Sequence, residues 1–128
     1  MPSRLKTKAT AETGDGVLVA TAVQRIAEFW SLTNEGLGEI LGLSDSTVSR
    51  LRNGNWHFQV GTKSFELAQY LLRLFRSLDS LMGSDDVAAR SWLASENLEL
   101  GGKPIDMIRS IRGLSDVADY VDDYRARV

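Results

Sequence analysis

The sequence has no cysteine, one histidine, two prolines and no long apolar run. Without cysteine there is no disulfide scaffold, no thiolate zinc or iron–sulfur site and no thiol nucleophile. His57 alone gives a metal site too few imidazoles and a Ser-His-Asp triad too little context. No stretch approaches the roughly 18–20 apolar residues of a membrane span. The opening MPSRLKTK is cationic but runs into polar residues, unlike a cleaved signal peptide, so a soluble cytoplasmic protein is expected. A dominant charge is also missing. The chain carries 15 Lys and Arg against 17 Asp and Glu, a net charge of -2, which is not an obvious nucleic-acid binder.

What is present is a chain of 128 residues, 43% hydrophobic. At that size about two-thirds of the unfolded surface can be buried, enough for a core in one domain or two small ones. Residues 1–16 hold one large apolar side chain, Leu5, and end in Gly-Asp-Gly, which reads as a mobile tail. From there the apolar spacing is helical throughout. Helices are expected over Val17–Trp30, over Asn34–Leu41 capped by Thr33, and over Asp45–Arg52 capped by Ser44. Trp56–Val60 alternates aromatic and polar residues but is too short to fix a conformation. Ser64 is expected to cap a long helix, Phe65–Met82, whose apolar residues sweep nearly half its circumference. A helix so broadly apolar packs on two sides, against both halves of the chain or a second copy. A further helix over Asp85–Ala94 should bury Val87, Ala88, Trp92 and Leu93, and Asn97–Gly102 should turn. Pro104 suits the first position of a helix. Gly113 is expected to break the chain and Ser115 to cap a last helix running to the C-terminus. The fold class is all-α, with a helix-turn-helix part (residues 17–63) joined by the long helix to a small helical domain (residues 64–128).

Several chemical motifs fail on inspection. Gly101-Gly102-Lys103 resembles the end of a phosphate loop, but Asn97 stands where its leading glycine belongs. No Ser lies in a G-x-S-x-G elbow. The pairs Asp85-Asp86 and Asp122-Asp123 diverge by about 100° on a helix, so their carboxylates do not converge. Trp30, Trp56 and Trp92 read as core anchors and His57 as a packing or turn residue. No enzyme activity and no cofactor is expected.

The positive signal is Thr33–Arg52, two short helices across Gly42-Leu43-Ser44, the helix-turn-helix pattern. Phasing the second helix by Val48 and Leu51 turns Ser46, Ser49, Arg50 and Asn53 outward, with Thr47 and Arg52 flanking. Such side chains reach base edges in the major groove, and Arg grips guanine bidentately. Lys63, Arg52 and the N–H groups at the Ser44 end are candidates for holding phosphates. Against DNA stand Glu35, Glu39 and Asp45 nearby, and a balance of only +1 over residues 1–63. Two copies in a dimer would recover some of the attraction.

The run from Leu67 to Arg125 resembles the toxin-binding region of the Xre/MbcA/ParS antitoxins. The pieces are RLFRSLDSLMG (Arg73–Gly83), ARSWL (Ala89–Leu93), Asn97 with Leu100-Gly101-Gly102, Pro104-Ile105-Asp106, and Gly113 leading to Tyr120. Upstream, LSDSTVSRLRNGNW resembles the Xre-type helix-turn-helix that precedes it in that family. The resemblance implies an antitoxin for a RES-type toxin that destroys NAD, with the C-terminal region covering the toxin's active-site cleft. It also implies repression of the shared promoter by the helix-turn-helix, usually as a dimer. Gly101, Gly102, Lys103 and Pro104 lie in the matching segment and are candidates for toxin contact, as is Arg125.

Residues 64–128 hold 8 basic and 11 acidic side chains, and Asp116, Asp119, Asp122 and Asp123 share one side of the last helix. Asp119, Asp122 and Asp123 are expected to compete for the cations that hold a dinucleotide's phosphates in the toxin. The alternative is a solvated face balanced by Arg125 and Arg127. Arg73 and Arg76 are left open between pairing with Asp79 in the chain and reaching across an interface. Two rival functions remain on these residues. One is a regulator whose C-terminal domain dimerises or binds a ligand without any toxin. The other is an inhibitor whose helix-turn-helix has lost DNA.

Overall fold

A computed structural model describes residues 15–127, which form seven helices and no strand. They are α1 (Gly16–Phe29), α2 (Asn34–Leu41), α3 (Asp45–Arg52), α4 (Lys63–Leu81), α5 (Asp86–Ala94), α6 (Pro104–Met107) and α7 (Ile111–Arg127). Residues 15 and 16, expected in the tail, belong to α1 and its cap. Asp15 caps α1 through its carboxylate and Gly16 is already helical, while residues 1–14 lie outside the described residues.

The caps of α2 and α3 form as the sequence predicts. Thr33 Oγ1 accepts from the Gly36 N–H at 2.9 Å and Ser44 Oγ from the Thr47 N–H at 3.3 Å. Other boundaries move. Thr62, not Ser64, caps α4, its hydroxyl accepting from the Phe65 N–H at 3.3 Å. The helix over Asp86–Ala94 buries Leu93 as expected and departs from expectation at its other positions. Ala89 and Leu93 face the core, Val87 is exposed and Trp92 only half-buried. Gly113 does not break the chain, and Ser115 caps nothing. Ser110 Oγ accepts from the Gly113 N–H at 3.0 Å, so Ser110 opens α7 and Gly113 sits in its first turn.

Trp56–Val60 is an irregular loop that turns Phe58 inward, its ring 5.0 Å from Trp56 and 6.4 Å from Phe65. Packing centres on α4. Its buried Phe65, Leu67, Ala68, Leu71, Leu72, Leu74, Phe75 and Leu78 meet α1 and α2 on one side and α5 and α7 on the other. Each of these Leu and Phe side chains contributes about 1.5–3 kcal/mol when fully buried. One core thus runs through both halves, and α4 leaves a shallow strip of Glu66, Gln69, Tyr70 and Arg73 at the surface. Among the described residues no helix is long and apolar enough to cross a membrane.

Candidate functional site

The second helix of the helix-turn-helix, α3, is held by groups that the sequence pattern does not single out. Gln24 on α1 donates to the Leu51 carbonyl at 2.5 Å, and Val48 and Leu51 are buried beneath it. Its outer face carries Ser46, Ser49, Arg50 and Asn53 in solvent, as phased. Ser44, Thr47 and Arg50 form a hydroxyl-to-guanidinium chain along one edge, with Ser44 Oγ 3.0 Å from Thr47 Oγ1 and Arg50 Nη2 3.3 Å from the same oxygen. Arg52 is different. Its Nη1 donates to the Leu32 carbonyl at 2.8 Å, so it ties α3 to the turn before α2 instead of presenting a cation outward. Lys63 lies on α4 and pairs with Glu66 at 3.2 Å, an exposed contact worth little.

In the C-terminal half a tight turn joins α5 to α6. Asn97 closes it by donating its N–H to the Gly102 carbonyl at 2.9 Å and accepting from the Leu100 N–H on its side chain at 3.0 Å. Gly101 stands at φ +87°, a region that a Cβ disfavours. Leu98 at the tip is 96% exposed, an apolar side chain held out on a closed turn. Lys103 and Pro104 follow, the lysine exposed and the proline buried at the first position of α6. Beside the turn lies an aromatic shelf. Trp92 stacks on Tyr120 at 6.4 Å and Tyr120 leans on Tyr124 at 6.1 Å. The Tyr120 hydroxyl donates to Glu99 at 2.6 Å, and that bond is the main cause of its raised pKa. Trp92, expected in the core, is half-buried and forms one end of this shelf. The i, i+4 spacing of Tyr120 and Tyr124 was its one signal.

The acidic helix face is partly claimed within the chain. Arg73 Nη2 bonds Asp119 at 2.6 Å and Arg73 Nε bonds Asp122 at 2.7 Å, while the buried Ser77 hydroxyl donates to Asp122. These bonds raise the Arg73 pKa, that with Asp119 foremost. At Asp122 partial burial pushes the pKa up, but the bonds from Ser77 and Arg73 outweigh it and hold the carboxyl below the usual range. Of the three carboxylates expected to meet a partner's cations, two already hold one of the chain's own. Asp123 and Arg125 are exposed in the last turns.

A depressed Asp122 pKa stabilises the fold above the unfolded carboxyl value of about 4 and is lost as pH falls through the lower folded value. Asp122→Asn should therefore cost about 1 kcal/mol at neutral pH and leave a flatter stability curve in acid. Urea midpoints from pH 7 down to about 3 check this. Parallel curves for the two proteins would refute it.

Two family models match the chain in sequence order. One, described as the antitoxin Xre-like helix-turn-helix domain, matches residues 11–73. The other, the antitoxin Xre/MbcA/ParS C-terminal toxin-binding domain, matches residues 77–127. The first contains α1, α2 and α3, the second the turn, the shelf and α7. No curated protein matches the chain.

Proposed function

Because the chain belongs to the Xre/MbcA/ParS family of antitoxins, we propose that it neutralises a RES-type, NAD-degrading toxin and represses its own operon. In this reading it acts in the cytoplasm by binding alone, without catalysis or cofactor. Residues 17–63 read operator DNA and residues 64–128 hold the toxin, with α4 built into both. The observation that carries the reading is the capped, outward polar face of α3 on the same rigid core as the closed turn at Asn97.

Ser44, Ser46, Thr47, Ser49, Arg50 and Asn53 are the DNA-contacting set. Arg52 supports them from behind, and Lys63 reaches phosphate only by leaving Glu66. For the toxin, Gly101, Gly102, Lys103 and Pro104 form the leading edge, with Leu98 as the apolar anchor and Asp123 and Arg125 at the rim. Apolar anchors at the centre of an interface carry most of its energy. Asp119 and Asp122 position α7 through Arg73. A homodimer would double the reader helices and offset the weak charge of each.

Two measurements test this. Co-expression with the product of the adjacent open reading frame should restore both growth and the NAD pool, and Leu98→Asp should lose that protection. Titration of a duplex from upstream of the gene should show Arg50→Ala weaker by about tenfold or more, the scale of one bidentate base contact. Promoter binding without protection from the neighbouring protein would leave a plain regulator. Protection without promoter binding would leave a pure inhibitor.

A further inference from the structure

The sequence placed two carboxylates, Glu35 and Glu39, where they argue against DNA. They stand one turn apart on α2, both exposed, beside the one exposed amide of Asn34. In a helix-turn-helix the first helix crosses the phosphate backbone while the second enters the groove. Carboxylates on that first helix repel phosphates within a Debye length, about 8–10 Å at ordinary salt.

The structure meets these charges with a cation from the other half of the chain. Arg109, in the link between α6 and α7, places Nη1 2.8 Å from Glu39 and 3.8 Å from Glu35. Its guanidinium lies against Gly36, where a Cβ would stand 3.3 Å from Nη2, so a glycine at this position of α2 makes room for it. The Arg109 side chain is 34% exposed, less than either partner. Nearby Arg90 donates to the Phe29 carbonyl at 2.9 Å and fastens the same half to the end of α1. Thr33, Gly36, Ile40, Arg90 and Arg109 line one cleft between the two halves.

We infer that Arg109 of the toxin-binding half is a positioning residue for DNA, masking Glu35 and Glu39 so that α2 can lie against the phosphate backbone. The inference rests on the DNA-reading function proposed above. Without Arg109 two bare carboxylates face the duplex. With it one of the two negative charges is offset.

The test titrates full-length protein against a duplex from upstream of its gene, at about 0.1 M and about 0.3 M salt, which straddles the screening range. Arg109→Gln should bind about fivefold to tenfold more weakly at the lower salt and close to wild type at the higher, as expected for a screened charge effect. The pair Glu35→Gln with Glu39→Gln, leaving Arg109, should bind more tightly than wild type. The triple variant, which removes two negative charges and one positive, should bind at least as tightly as wild type and less tightly than the Glu35 and Glu39 pair. A weak Arg109→Gln that the two added substitutions do not rescue would show a role in packing or direct phosphate contact, and overturns charge masking. So does unchanged binding of Arg109→Gln. If that single variant is unfolded by its melting curve, the Glu35 and Glu39 pair decides alone, and no tightening overturns the inference. Wild-type protein that ignores the duplex would remove the DNA reading itself, and the inference with it.

Discussion

Gly113→Ala should destabilise the protein by about 3 kcal/mol or more and lower its melting temperature by roughly 10 °C. Helix propensity predicts the opposite sign, since alanine is favoured over glycine in a helix by up to about 1 kcal/mol. Space decides the matter. A Cβ at Gly113 would lie 1.8 Å from the Met107 carbonyl oxygen and 2.6 Å from its carbon, and neither backbone atom can swing aside. The corner between α6 and α7 would have to open, drawing Leu114, Val117 and Val121 away from α4. Ser115→Ala, two positions on, is the control and should stay within about 0.5 kcal/mol. Equal melting curves for Gly113→Ala and wild type would show that the corner opens without cost.

Phe75→Ala should cost about 3–5 kcal/mol, the usual range for truncating a buried aromatic. Phe75 is 1% exposed on α4, with the Phe29 ring at 5.6 Å and the Trp30 ring at 5.4 Å, where the N-terminal half meets the long helix. Because the core is continuous through α4, the damage should reach both binding functions. Affinity for DNA and for a toxin partner should fall together, across one unfolding transition. Two separate transitions, with toxin capture surviving the loss of DNA binding, would mean that the halves fold alone.

The parts of this fold set by neighbours in sequence were legible. Thr33 and Ser44 each stand before a polar first turn and an apolar stripe, and α2 and α3 begin and end where those signals lie. Where two hydroxyls compete the signal is ambiguous. Thr62 and Ser64 are both able to cap, and Thr62 holds the Phe65 N–H. In α5 Leu93 takes the core position that the spacing predicts, but Val87 and Trp92 look like core residues while Ala89 holds the other core place.

Nothing local could announce the cross-chain pairs. Arg73 meets Asp122 across 49 positions, and Arg109 meets Glu39 across 70. Arg52 shows the same limit, since its stripe position says flank and only the fold supplies the Leu32 carbonyl. The outer face of α3 is therefore more legible in the sequence than the surface of the C-terminal half. A capped amphipathic helix declares its outer face, whereas a partner surface assembled from a turn, α5 and α7 does not.

The continuous spine bears on how such proteins can be recombined. The two family matches meet at residues 73–77, inside α4, so a chimera joined there would unite half-helices whose buried faces were fitted to different neighbours. The turn from Asn97 to Gly102 begins and ends at one bridge, so its tip, Leu98 above all, can be exchanged while Glu99 keeps its bond to Tyr120 and Leu100 its place on the core.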